Sequence, residues 1–361
     1  MNLQSSEKLW RVRRTADPLF KLFFATFATL MKFLILRFSS IGDIVLTTPV
    51  IRCLKKKFPD AEIHYATKKA FHSILKHNPY LSQIHLLDGS VFTLINELKQ
   101  QKFDYVIDLH HNQRTWLIKT MLGVKSFSFD KLNFEKWLMV NFKINKLPKV
   151  HIVDRYLAAC KKLGVENDGK GLDYFLAKED EVDISTLPPA FQNSYVGWVI
   201  GAKQNTKQFP VAKIINALSR INLPVVLLGG KEDILNAEKI LSSVTGKVIY
   251  NACGKYSLNQ SASLVRQAKL MVSNDTGLMH ISVAFKKPVL SIWGNTIPEF
   301  GMGPYYGDSN IGNSSKQFAT LGLSCRPCSK LGYAVCPKGH FKCMNLIDEL
   351  EIAEAVNTIE R

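Results

Sequence analysis

The chain has 361 residues, is 46% hydrophobic, and carries 47 Lys and Arg against 30 Asp and Glu, a formal net charge of +17. A mean hydropathy of −0.01 with this apolar fraction excludes a disordered chain, and Gly 21 and Pro 14 exclude a collagen-like or low-complexity one. At about 150 residues per domain the length points to two domains. The charge speaks to partners, not to fold. Residues 31–180 hold a net +9 and residues 181–361 a net +5. An anionic macromolecule or membrane surface is therefore expected to meet the first half, with a solvated basic surface as the plainer alternative.

Residues 1–30 read as an addition. Arg11, Arg13 and Arg14 precede an apolar run from Leu19 to Leu30 that Lys21 interrupts. The run is shorter than the roughly 20 residues needed to span a bilayer, and no small-residue cleavage site follows it. Two readings stand: a basic amphipathic anchor on a membrane face, or translation that begins at Met31. The second is preferred, and the segment is set aside from the fold.

From Met31 strands and helices alternate. Lys32–Arg37 is a short apolar run typical of a buried parallel strand. A loop, Phe38–Asp43, leads into an amphipathic segment reaching Lys57, where Pro49 marks a kink or a restart near Thr48. Glu62–Thr67, Gln83–Asp88 and Tyr105–His110 are strand candidates, and a further helix ends at Gly164. The acidic stretch Lys178–Pro189, closing on Pro188-Pro189, reads as a linker. Strands then resume at Tyr195–Ile200, Pro224–Leu228, Val248–Tyr250, Leu270–Ser273 and Pro288–Trp293. Two runs of this kind predict an α/β protein of two doubly wound parallel sheets, in domains 31–180 and 190–361, facing a central cleft. Ligands in such sheets bind beyond the carboxyl ends of strands, so the cleft is the expected site.

Four strand ends carry chemistry-bearing residues. After the first strand come Ser39, Ser40, Gly42 and Asp43. Gly42 permits close backbone approach. Asp43 would repel a phosphate but suits a hydroxyl, its plainer role being a helix cap. In the second half, Asp275, Thr276 and Gly277 open a helix whose first amides suit an anion, with His280 one turn on. The plainer reading has Asp275 as a cap and His280 as a core histidine. Lys207 follows the strand ending at Ile200 and suits a phosphate. Glu232 follows Gly229-Gly230 and suits ribose hydroxyls. Together the second-half loops make a plausible nucleotide pocket.

The segments MKFLILRFSSIGDIVLTTPVIRCLKKKFPDAEI, VGWVIGAKQNTKQFP and SNDTGLMHISVAFKKPVLSIWGNT resemble glycosyltransferase family 9, the heptosyltransferases of lipopolysaccharide core assembly. The resemblance runs from about Met31 to the C-terminus. It implies a GT-B fold of two Rossmann-like domains, with the acceptor in the first and a nucleotide sugar in the second. It also implies inverting, metal-independent transfer of a heptose from ADP-heptose to an anionic lipopolysaccharide-type acceptor. Asp43 then matches the general base, and Lys207 the lysine on the donor phosphates. Asp275, Thr276, Gly277 and His280 match the donor element, with Ser39, Ser40 and Gly42 in the loop opposite. Glu232, or equally Asp233, falls near the ribose-binding acid. No cofactor is required. The implied setting is cytoplasmic, with peripheral contact at the inner face of the membrane and no nucleic-acid partner. The alternatives are a transferase of the same fold using another nucleotide sugar, or a non-catalytic nucleotide-sugar binder.

Cys53, Cys160 and Cys253 are isolated in apolar settings, as core thiols are. Cys325, Cys328, Cys336 and Cys343 cluster with zinc-loop spacing, so a structural zinc stands beside free thiols and a disulfide as readings. A nicotinamide-dependent enzyme is disfavoured because no GxGxxG follows any strand. The basic residues are scattered rather than gathered in a nucleic-acid-binding module.

Overall fold

The computed structural model describes residues 30–360. The reading of residues 1–30 therefore lies outside the described residues, Leu30 excepted.

The first sheet contains β1 (Lys32–Leu36), β2 (Glu62–Lys68), β3 (Gln83–Leu87), β4 (Tyr105–Asp108) and β5 (Lys125–Ser128). All pairs are parallel, and the order is β3-β2-β1-β4-β5. The helices between them are α1 (Ile41–Val45), α2 (Thr48–Lys57), α3 (His72–Leu75), α4 (Val91–Gln100) and α5 (Gln113–Leu122). Beyond β5 lie α6 (Asn133–Phe142) and α7 (Ile152–Ala159).

The second sheet contains β6 (Val196–Val199), β7 (Val225–Leu228), β8 (Ile249–Asn251), β9 (Leu270–Asn274), β10 (Val289–Trp293) and β11 (Lys316–Ala319). It is also parallel, in the order β11-β10-β9-β6-β7-β8. Its helices are α8 (Val211–Leu218), α9 (Ile234–Ser243), α10 (Leu258–Gln267), α11 (Gly277–Ala284), α12 (Lys342–Asn345) and α13 (Glu349–Glu360).

Strand β1 shows why the sheet is central. Phe33 and Ile35 face one way, Leu34 and Leu36 the other, and all four are fully buried, as a strand covered on both faces requires. Leu34 and Leu36 pack in an outer core with Leu94, Ile95 and Leu98 of α4 and Ile118 of α5. Phe33 and Ile35 join a core that continues into the second half through Val199, Met271, Met279, Ile281 and Val289. A third core backs the second sheet, where Trp198 and Val272 meet Ile214 of α8, Ile240 of α9 and Val356 of α13. The middle core thus joins the two halves, with α1 packed against α11 and α3 against α10.

Pro49 acts as a restart. α1 ends at Val45, and α2 begins at Thr48 with proline in its first turn, where the missing N–H costs nothing. The helix expected to run to Gly164 is α-helical only to Ala159 and finishes as a 3₁₀ turn, Lys161–Leu163, closed by Gly164 at φ +70°. The stretch 178–191 holds three short 3₁₀ turns and no strand. Two strands were not expected, β5 (KSFS) and β11 (KQFA). Both are edge strands with mostly solvent-facing residues, so neither needs an apolar run.

Candidate active site

The loop after β1 is closed by its own residues. Asp43 Oδ2 accepts from the Ser40 amide at 3.1 Å and the Ser40 hydroxyl at 2.9 Å. Oδ1 pairs with Arg37 at 2.7 Å. The capping role is therefore real, and it uses only one carboxylate oxygen. Arg37 is buried and fully employed. Its Nε donates to Ser39 O at 2.6 Å, and its Nη1 to Leu109 O at 2.6 Å and to the Tyr156 hydroxyl at 2.9 Å. Burial pushes the Asp43 carboxyl up, but the Arg37 guanidinium and the two Ser40 hydrogen bonds outweigh it and hold it below the usual carboxylate range. Asp43 is thus ionised at neutral pH, with 22% of its side chain exposed.

Across the seam lies the start of α11. Thr276 is its N-cap residue, and the Thr276 hydroxyl lies 3.4 Å from that of Ser273. Asp275 is not the cap. Its Oδ2 pairs with Lys207 Nζ at 2.6 Å and accepts from the Thr296 hydroxyl at 2.9 Å. Lys207 stands in a 3₁₀ turn, Asn205–Lys207, and its cation is oriented by a residue on the neighbouring strand end.

Gly42 and Gly277 let the two loops touch. A Cβ on Gly42 would come 2.5 Å from His280 Cδ2, and one on Gly277 would come 2.6 Å from Ile41 Cγ2. What approaches Gly42 is therefore the His280 ring. His280 is buried and its Nδ1 has no hydrogen-bond partner. Desolvation drives its pKa down to about 4, against the pull of Asp275 and Asp43, so the ring is neutral at pH 7 and gives a phosphate no charge.

The Gly229-Gly230 loop separates the two acids beside it. Asp233 is buried and accepts from the Gly230 amide at 2.9 Å, seated where a Cβ on Gly201 or Gly229 would clash. Glu232 is exposed at the turn, which leaves its carboxylate available.

Several residues near Asp43 escaped the sequence reading. Arg37 is one; the signal was a charge ending an apolar buried strand. Lys131 and Lys136 are others. Burial lowers the pKa of Lys131, and so does repulsion from Arg37 and Lys330. Lys136 falls to about 8 through burial and repulsion from Arg155, Lys330 and Lys131, with Asp43 pulling the other way. Cations that repel one another beside a carboxylate give this part of the cleft a positive potential. Residues 199 positions apart along the chain cannot announce such a cluster, as Lys131 and Lys330 illustrate.

Cys53, Cys160 and Cys253 are buried free thiols. Cys325, Cys328, Cys336 and Cys343 line one small cavity with His340 and are likewise unbridged. The Cys325 sulfur lies 3.8 Å from His340 Nε2. Among the described residues no group of three or more His, Cys, Asp or Glu side chains is arranged to hold a metal ion, so no chemistry is assigned to one there. The loop also buttresses the lysine turn: Tyr333 N donates to the Thr206 hydroxyl at 2.8 Å, and Thr206 N donates to Tyr333 O at 3.1 Å.

Two doubly wound parallel sheets, brought together where the loop after β1 meets the start of α11, make a GT-B fold. Residues 91–332 match glycosyltransferase family 9 (heptosyltransferase), and the chain belongs to that family. It is similar to the lipopolysaccharide core heptosyltransferase OpsX of Haemophilus influenzae, with 22% identity over 353 residues covering 91% of this chain and 95% of that protein. The fold is shared with a family 9 glycosyltransferase from Veillonella parvula, at TM-score 0.71 and 22% identity over 91% of this chain and 97% of that one. It is also shared with the E. coli heptosyltransferase WaaC solved with ADP-2-deoxy-2-fluoro heptose, at TM-score 0.61 and 19% identity over 91% and 99%. Among the described residues no helix is long and apolar enough to cross a membrane.

Proposed function

We propose that this glycosyltransferase moves a heptose from ADP-heptose to a lipopolysaccharide-core acceptor, with inversion and without a required metal. Residues 31–180 hold the acceptor and residues 190–361 the donor. The observation that carries the reading is the meeting of the Asp43 loop with the start of α11 at Gly42 and His280. There His280 feels the charge of Asp43 from one half and of the paired Asp275 and Lys207 from the other.

Asp43 takes the proton of an acceptor hydroxyl as its oxygen bonds to the anomeric carbon. The bond from that carbon to the diphosphate oxygen breaks on the opposite face, and ADP leaves. Lys207, the Thr276 hydroxyl and the first amides of α11 stabilise the departing diphosphate. Asp275 orients Lys207 and is itself neutralised by it, so it does not repel the phosphates. Glu232 receives the ribose hydroxyls. Arg37 keeps Asp43 ionised, and the Lys131, Lys136 and Lys330 cations receive the anionic groups of the acceptor at the cytoplasmic face of the membrane.

The test is a panel of nucleotides and nucleotide sugars read by thermal stabilisation, followed by transfer assays with and without chelator. A ligand selective for the native state raises the melting temperature by mass action. Stabilisation by ADP and ADP-heptose, with chelator-resistant transfer, is the expected result. Selective stabilisation by a uridine or guanosine nucleotide would replace the donor. Strict dependence on added magnesium would replace the charge-stabilisation scheme.

A further inference from the structure

Helix α6 is built unlike the other long helices of its sheet. None of its ten residues is buried, whereas α4 buries Leu94, Ile95 and Leu98. Phe134, Trp137 and Phe142 are 65%, 50% and 58% exposed. Their rings form one ladder: Phe134 and Trp137 stack at 6.1 Å, and Trp137 meets Phe142 edge-on at 5.1 Å. Exposed Ile144 and Val150 follow. A contiguous aromatic face in water marks an interaction surface.

The charge around the ladder is one-sided. Residues 131–150 hold Lys131, Lys136, Lys143, Lys146 and Lys149 against Glu135 alone. Lys143 Nζ donates to Pro327 O at 2.6 Å, tying the end of α6 to the cysteine-rich loop. Leu331, Tyr333 and Val335 are exposed on that loop. The apolar surface therefore continues onto the other half of the molecule. On the inward side, Lys136 and Lys131 feel the charge of Asp43.

We infer that α6 is a docking helix for an anionic lipid bilayer, with Phe134, Trp137 and Phe142 seated at the headgroup level. Aromatic rings beside lysines are the composition of such interfaces. A second copy of the chain fits poorly, because a two-fold contact would set this lysine-rich face against itself. Docking on α6 brings the mouth of the Asp43 cleft to the lipid surface. Only that last consequence rests on the proposed lipid-linked acceptor.

The experiment is flotation of the full chain with phosphatidylglycerol-containing vesicles and with pure phosphatidylcholine vesicles, without donor or acceptor. The wild-type protein is expected to float with the anionic vesicles and to be released by salt. The combined Phe134→Ser, Trp137→Ser, Phe142→Ser variant is expected to lose about tenfold or more in vesicle affinity with an unchanged melting temperature. Lys146→Glu, Lys149→Glu is expected to weaken binding at low salt only. Wild-type affinity in the aromatic variant would overturn the inference and assign any membrane contact elsewhere in the chain. So would a concentration-dependent dimer, abolished by the same substitutions, with no vesicle binding. If the aromatic variant misfolds, Trp137→Ser alone is measured, and unchanged affinity there likewise overturns it. Vesicle binding without transfer to any lipid acceptor would leave the docking helix standing and remove the acceptor reading instead.

Discussion

The two halves of the candidate site are assembled in opposite ways. The Asp43 half is local: Arg37, Ser40 and Asp43 lie within seven residues, and the carboxylate is gripped by its own loop. The Lys207 half is distant: Lys207, Asp275 and Thr296 come from three strand ends and are joined only by the fold. A local cradle is held rigid before any ligand arrives. A lysine paired to a carboxylate can be shared with an incoming phosphate. That suits the roles proposed for them, Asp43 as a base that must stay put and Lys207 as a cation that must follow a leaving group.

The largest test of this contrast is Asp43→Asn. It is expected to lower kcat by about 10²–10⁴ while leaving donor affinity nearly unchanged. Steady-state kinetics beside donor titration calorimetry read both, and near-normal turnover in a folded variant removes Asp43 from the chemistry. Arg37→Met adds a pH readout. Loss of the guanidinium raises the Asp43 pKa, so the acid limb of kcat/KM should move to higher pH; an unmoved limb would show that Arg37 serves structure alone.

Acid should undo the seam before it undoes the loop. His280 is neutral when folded, with a pKa of about 4, against about 6.5 when unfolded. Its folded pKa is depressed, so the unfolded chain binds the extra proton first. Stability is fully present above about 6.5 and falls as the pH drops toward 4, by roughly 3 kcal/mol for this group. Denaturant melts between those limits check it, and His280→Asn, if folded, should flatten the slope. Asp43, held below the usual carboxylate range, gives up its charge later in the same titration.

Lys207→Ala is expected to weaken donor binding by about 1.5–3 kcal/mol, the range for a charge-assisted bond to phosphate, with a smaller effect on acceptor KM. An equal loss toward both substrates would mean that the pair with Asp275 holds the seam rather than the donor. Gly42→Ala probes the contact itself. The added methyl must displace the His280 ring, at a cost of about 1–3 kcal/mol. Differential scanning calorimetry should show that loss, and pairing it with His280→Ala should restore part of it.

The architecture was written plainly in the sequence. Apolar runs such as KFLIL and VVLL must be strands covered on both faces, and their alternation with helices forces parallel sheets. Edge strands β5 and β11 escaped because a strand with one wet side needs no such run. The residue types at strand ends were legible too: Asp43, Lys207, Asp275 and Thr276 stand where small residues and helix starts meet. Their partners were not. That Asp275 orients Lys207 instead of capping α11, and that Asp233 is spent on Gly230 while Glu232 faces solvent, follow from contacts between segments far apart in the chain. Gly42 reads as room for a ligand in sequence, yet in the fold that room is filled by a histidine some 240 residues away. Periodicity is a property of each segment and survives without the fold. Ion pairing, desolvation and close approach depend on the distance between segments, which only the packed chain sets.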